Sequence, residues 1–275
     1  MAPLINFSKL CVHTQTNKPW TLQQCITYYA FAGINAISIW RHLLEGKDLS
    51  NIKELLIKHQ MEVVSLVRGG FFPAIEDKQR ALALEDNRLA IEQAAVLGAP
   101  QVVLVCGAEP NQSLKVSCQQ IKEGIIALLP QAERLGVRLS IEPLHPMYAG
   151  DKSAITSLRQ ANDLCEEIDS PWLGVAIDVY HLWWDDQLEK EIYRCGKSKN
   201  IFAFHICDWL VPTNDFLTDR GLMGEGCIPV KQIREWVEKA GFEGYNEVEV
   251  FSERLWAHDQ KLYLENIKKA YLKHC

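Results

Sequence analysis

The feature that most constrains this chain is its rhythm. A short apolar run is followed by a longer segment with helical spacing, and the pair recurs from one end of the sequence to the other. The runs that read as strands are 9–13, 36–40, 62–67, 102–106, 138–142, 174–178, 201–205 and 246–250. Between them, apolar residues fall on helical stripes. Ile155, Leu158, Ala161, Leu164 and Ile168 recur every three or four residues, which gives one buried face, and Ser153 or Asp151 is placed to cap its start. The segment 78–97 behaves in the same way and stops at Gly98-Ala99-Pro100, and Gly136 follows the next helix. Pro130 lies inside that helix and is expected to kink it.

Eight such units in 275 residues predict a single (β/α)8 TIM barrel spanning 1–275, a fold that typically takes about 250 residues. The rival, a doubly wound open sheet, often carries a glycine-rich phosphate loop after its first strand. Here Thr14-Gln-Thr-Asn-Lys-Pro19 follows instead, without a glycine. No internal repeat, low-complexity tract or linker breaks the pattern. A hydrophobic content of 48% supports a sizeable core.

The net charge of -6 argues against a dedicated nucleic-acid binder. No stretch approaches the roughly 18 apolar residues of a membrane span, and the first residues show no secretory signal. The nine cysteines are scattered, without a Cys-x-x-Cys pair, so free thiols in a reducing cytoplasm are expected.

A barrel places its active site at the C-terminal ends of its strands. Strand five ends in Ser140-Ile-Glu142, strand six in Ala176-Ile-Asp178 and strand seven in Ala203-Phe-His205, while strand eight contains Glu247-Val-Glu249. Side chains alternate faces along a strand. Each polar residue therefore stands at the rim above a small inward residue, while Ile141, Ile177 and Phe204 face the helices. On strand eight the rim position favours Glu249; an inward Glu247 lies one layer deeper, where a charge is costly unless paired. Converging carboxylates repel, and a cation relieves that repulsion. Three carboxylates and one imidazole form a mostly hard set suited to Mn²⁺, Mg²⁺ or Co²⁺, with Zn²⁺ also admissible.

His181, three residues past Asp178, and His145 can reach such a site from their loops, and Asp208 can orient a ligand or cap the next element. His13 and His42 are weaker candidates, and His59, His258 and His274 read as surface residues. The aperiodic stretch 206–229 reads as a lid or binding loop. Within it Arg220 is the candidate for holding an anionic or hydroxylated substrate, or else pairs with Asp219 or Glu225. Trp209, Trp183, Trp40 and Phe71 can supply an apolar wall for sugar C–H faces.

These residues fall into motifs: Ile141-Glu-Pro-Leu-His-Pro146, Asp178-Val-Tyr-His-Leu-Trp-Trp184, Phe204-His-Ile-Cys-Asp-Trp209, Asp219-Arg-Gly-Leu-Met-Gly-Glu-Gly226 and Val248-Glu-Val-Phe-Ser252. In their order and spacing the chain resembles the xylose-isomerase-like TIM-barrel superfamily of sugar phosphate isomerases and epimerases. Ketose 3-epimerases, hydroxypyruvate isomerase, inosose isomerase and inosose dehydratase belong to that group. The resemblance implies a metal quartet of Glu142, Asp178, His205 and Glu249. It further implies that Glu142 and Glu249 act as the acid/base pair and that His181 binds substrate. Ketose 3-epimerases usually carry a glutamate where this chain has Tyr148 and an arginine where it has Val211, so the resemblance to that subgroup is incomplete.

The expected function is a metal-dependent isomerase or epimerase of a sugar, sugar phosphate or polyol ketone, cytoplasmic, with a small carbohydrate as its partner and neither nucleic acid nor membrane. A homo-oligomer is left open. A dehydratase of an inosose-like keto-polyol is the alternative; an endonuclease IV-like nuclease or a non-catalytic sugar-binding protein ranks below both.

Overall fold

A computed structural model describes residues 4–275. The first three residues, on which the reading of the N-terminus partly rests, lie outside the described residues. The strands are β1 (Leu10–His13), β2 (Ala36–Trp40), β3 (Glu62–Gly70), β4 (Gln101–Val105), β5 (Arg138–Ile141), β6 (Leu173–Asp178), β7 (Ile201–Ile206), β8 (Asp208–Trp209), β9 (Arg220–Gly221) and β10 (Asn246–Val248). The helices are α1 (Leu22–Phe31), α2 (Leu49–Lys58), α3 (Asp77–Leu97), α4 (Leu114–Leu135), α5 (Leu158–Ile168), α6 (Val179–Leu182), α7 (Leu188–Lys197), α8 (Val230–Lys239), α9 (Glu253–Trp256) and α10 (Gln260–His274).

Strands β1 to β7 and β10 close into one parallel barrel, in which β10 lies between β7 and β1. This is the (β/α)8 TIM barrel expected from the rhythm of the sequence. Among the described residues no helix is long and apolar enough to cross a membrane.

The alternation along each strand divides two cores. Ile141, Ile177 and Phe204 pack into the large cluster between barrel and helices. Val67, Val103, Ala176 and Ala203 form a small layer inside the barrel, with Trp40 against it. Because Ala176 and Ala203 are small, the lumen directly beneath the rim has room for the longer side chains above them.

Two local expectations change. The helix after the fifth strand starts at Leu158, not near 155. Its cap is Ser157, whose hydroxyl accepts from the Gln160 amide, rather than Ser153 or Asp151. Ser153 is instead buried, and its hydroxyl donates to the Ile155 carbonyl. Pro130 lies inside α4 as expected, and the helix continues past it to Leu135 and ends at the left-handed Gly136. Strand β3 runs three residues beyond its predicted end at 67, to Gly70. There φ is +106°, and an added Cβ would lie 1.9 Å from the Val105 carbonyl oxygen, so only glycine lets β3 stay beside β4.

The 206–229 stretch folds back as an antiparallel ribbon of β8 and β9. Asp208 holds it together: its oxygens accept from the backbone amides of Trp209, Gly224 and Ile228 at 2.8, 2.8 and 2.9 Å. Farther out, the hydroxyls of Tyr148 and Tyr180 both donate to the Phe216 carbonyl at 2.8 Å.

Candidate active site

Register brings the rim residues together. Asp178 is aligned with His205, and His205 with Glu247, across neighbouring strands. Glu142 and Glu249 stand one residue past β5 and β10, their backbones still tied to Leu104 and Ile206. One ligand atom from each of Glu142, Asp178, His205 and Glu249 lies within 4.8 Å of the others, and all four residues are buried. His205 Nδ1 is 2.8 Å from Glu142 Oε1. Asp178 divides its carboxylate: Oδ1 accepts from the Tyr180 amide to cap α6, and Oδ2 faces the site.

A clustered set of oxygens and one imidazole is what a divalent cation needs. Donors about 2.0–2.2 Å from a common centre fall within the observed spread, so these residues fit such an ion.

The charges at the rim are strongly coupled. Burial opposes charging of His205, but its bond to Glu142 and the field of Glu247 and Glu249 prevail and push it up to about 10. Desolvation raises Asp178 to about 7, with Arg220 opposing and Glu249 and Glu142 adding to the shift. Glu249 is also penalised by burial, yet His13, His205 and Arg220 hold it well below the usual carboxylate range.

Arg220 reaches this cluster from β9. Its guanidinium is 3.0 Å from Glu249 and 3.3 Å from Asp178, not paired to its sequence neighbours Asp219 or Glu225, and it stacks on Tyr180 and Phe251. His181 lies 3.4 Å from Arg220, and its buried Nδ1 has no hydrogen-bond partner. Burial and the Arg220 charge keep His181 neutral by lowering its pKa well below the ordinary value.

A cleft of about 290 Å³ opens above these groups. Glu142, His181, Arg220 and Glu249 line it, together with Trp40, Tyr148, Phe251 and Trp256. His145 and Trp209 lie to one side of that lining. His145 packs against Trp184 and Trp209, and Trp209 stacks on Tyr180. Asp208 also lies outside it, with its carboxylate given over to the loop amides. Phe71 is 40% exposed on the outer side of Trp40 and Arg68.

Two inner residues carry more than the sequence reading gave them. His13 is fully buried, with Nε2 3.1 Å from Glu247 and Nδ1 3.0 Å from Glu249. Burial opposes charge on His13, but the two carboxylates raise its pKa and favour the imidazolium form, while Trp40 Nε1 stands 3.3 Å from Nδ1. Glu247 is indeed one layer deeper and indeed paired: Ser38, Ser65 and His13 donate to Oε2 at 2.5, 3.1 and 3.1 Å. Alternation put Glu247 on the same face as Glu249, but its meeting with His13 depends on closure of β1 against β10. His274, read as surface, is half-buried, and its ring sits where a Cβ on Gly224 would fall.

A closed parallel barrel with a cation-competent cluster at its rim defines a class, and the matches agree with it. Residues 26–274 match the model of the xylose isomerase-like TIM barrel family, and the chain belongs to that family. No curated protein matches it. The crystal structure of protein SMc04130 from Sinorhizobium meliloti is 41% identical, with a TM-score of 0.95 over 98% of this chain and 99% of that one. Two further structures share the fold at low identity. The IolI protein with a zinc atom has a TM-score of 0.83 at 20% identity, covering 95% of this chain and 96% of that one. D-psicose 3-epimerase in the presence of D-fructose has a TM-score of 0.78 at 14% identity, with the same coverage of 95% and 96%.

Proposed function

We propose that this protein is a metal-dependent isomerase or epimerase that moves a proton on the carbon beside the carbonyl of a sugar, sugar phosphate or polyol ketone. The observation that carries this reading is the convergence of Glu142, Asp178, His205 and Glu249 beneath a cleft whose walls include Trp40, Tyr148, Phe251 and Trp256. These four residues would hold a divalent cation, with Mn²⁺ preferred and Mg²⁺, Co²⁺ or Zn²⁺ as substitutes. Such an ion supplies electrophilic polarisation of a carbonyl and its neighbouring hydroxyl.

Glu142 and Glu249 take and return the proton. They stand on strands separated by β6 and β7, so they approach the cleft from two sides, as inversion at one carbon requires. Arg220, bonded to Glu249, keeps that carboxylate ionised and ready to accept a proton. The unpartnered Nδ1 of neutral His181 is free to bond a substrate hydroxyl. Trp40, Phe251 and Trp256 offer ring faces to C–H groups. The net charge of -6 supports a small carbohydrate over a nucleic acid as partner.

Proton NMR in D₂O with Mg²⁺-loaded protein and a panel of ketoses, ketose phosphates and inososes tests the reading. Deuterium entering beside a carbonyl, with loss of about 10²–10⁴-fold in rate for Glu142→Gln and Glu249→Gln, is the expected result. A product formed with loss of water would move the assignment to a dehydratase. Equal rates in the variants would remove these two residues from the reaction.

A further inference from the structure

The cleft has more positive charge than its own chemistry uses. Besides Arg220 it is lined by Lys18, Arg68 and Lys152. The three come from different parts of the barrel: Lys18 from the loop after β1, Arg68 from the end of β3, and Lys152 from the loop after β5. Each is laid against an aromatic ring. Lys18 Nζ is 4.3 Å from the Trp256 centroid, the Arg68 guanidinium 4.2 Å from Phe71, and Lys152 Nζ 4.1 Å from Tyr148. Cation–π stacking fixes a cation's position without neutralising it.

Their carboxylate partners are distant or absent. Lys18 faces Glu253 at 3.9 Å and Lys152 faces Asp151 at 3.8 Å. Among the described residues Arg68 has no carboxylate within 4.0 Å and its guanidinium makes no hydrogen bond, although its backbone carbonyl accepts from Arg41. Arginine offers five donors in a planar fork suited to a carboxylate or phosphate. The carboxylates on the cleft floor do not need these cations. Arg220 and one divalent ion would balance the charges of Glu142, Asp178 and Glu249, which leaves Arg68 as the mouth cation without a carboxylate at ion-pair distance, between two lysines that are only loosely paired.

We propose that the substrate is an anion, with a carboxylate or phosphate at the end remote from the reacting carbonyl, and that Arg68 binds this group while Lys18 and Lys152 add to the attraction. The proposal rests on the reading of the cleft as a sugar-ketone site and narrows its substrate class. A sugar of five or six carbons with its carbonyl on the floor brings its far end against the cleft walls, to which Arg68 belongs.

The test is calorimetric binding to the Mn²⁺-loaded protein of matched pairs, ribulose 5-phosphate against ribulose and xylonate against xylitol. The charged member is expected to bind at least about tenfold more tightly, with the gap shrinking between 50 and 500 mM NaCl. Arg68→Met should abolish most of the gap, Lys152→Met part of it, and Arg68→Lys should restore some. Whichever charged member shows the larger gap tells phosphate from carboxylate, and either supports the proposal. Equal binding of charged and neutral members, or a gap that Arg68→Met leaves intact, overturns it. Metal-dependent deuterium exchange on neutral ketoses with no anion preference would sink this proposal and leave the proposed reaction standing. An Arg68-dependent preference without exchange on any ketone would do the reverse.

Discussion

Glu247→Gln is the sharpest perturbation of this barrel. The side chain keeps its volume and loses only its charge, at a position that is 0% exposed. In the native protein one of its oxygens takes three donors, and His205 Nε2 lies 3.8 Å away. His13 is equally inaccessible and charged, so the substitution leaves a buried imidazolium with Glu249 as its one remaining carboxylate contact. Removing one partner of a buried pair costs about 3–5 kcal/mol. At about 2 °C per kcal/mol for a chain of this size, that lowers Tm by roughly 6–10 °C.

The pH dependence has a definite sign. Burial disfavours the Glu247 carboxylate, but His13, His205 and Ser38 hold its pKa below 4.5, so its contribution is present above that value and is lost as pH falls through the folded one. Burial likewise opposes charge on His13, but Glu249 and Glu247 raise its pKa above 6.5. That contribution is full below 6.5 and fades as pH rises through the folded value. The wild-type advantage is therefore greatest between about pH 5 and 6.5. Calorimetry in EDTA, which keeps metal linkage out of the comparison, reads the difference. A Tm within about 2 °C of wild type across that window would refute the paired-charge account of the inner barrel.

Three further outcomes are expected of the same barrel. Mn²⁺ at a hundredfold excess over its Kd should stabilise the protein by about 2.7 kcal/mol, roughly 5 °C, and Asp178→Asn should remove most of that gain; an undiminished shift in the variant would place the ion elsewhere. Under native conditions a thiol reagent at pH 8 should label exposed Cys227 quickly and half-buried Cys118 slowly, because burial pushes thiols such as Cys25 up to about 12, and fast labelling of Cys25 or Cys106 would contradict their packing. Asp208→Ala should deprive three loop amides of their acceptor, so hydrogen exchange at Trp209, Gly224 and Ile228 should accelerate at least about tenfold.

The barrel was readable because its grammar is local. Inward and outward residues alternate on every strand, and glycines end the long helices, so strand limits come within a few residues of those observed. The rim quartet was readable for the same reason: position at a strand's C-terminal end follows from the strand itself. What the sequence concealed depends on closure. Arg220 pairs with Asp178 and Glu249 because β9 folds over the barrel mouth, whereas sequence proximity pointed to Asp219 or Glu225. His13 meets Glu247 across a separation of 234 positions, and nothing short-range marks that contact. Ser157 displaced Ser153 as a cap because the chain first bridges Gly107 to Ser153 beside β4 and turns into helix only afterwards. Arg68 went unremarked because it lies past the predicted strand end, where the Gly69-Gly70 pair carries β3 on to the rim.

The double tether of the 206–229 loop, Asp208 at its base and two tyrosine hydroxyls on Phe216 toward its tip, bears on timing. A wall fastened at both places loses its conformational freedom when the protein folds, and a ligand meets it already in shape. Association should then run at a rate set by diffusion and charge, with single-phase kinetics and no slow isomerisation after encounter. On the proposed reaction, turnover should then be limited by proton transfer rather than by the opening and closing of a cover, and should show a primary isotope effect with substrate deuterated beside the carbonyl.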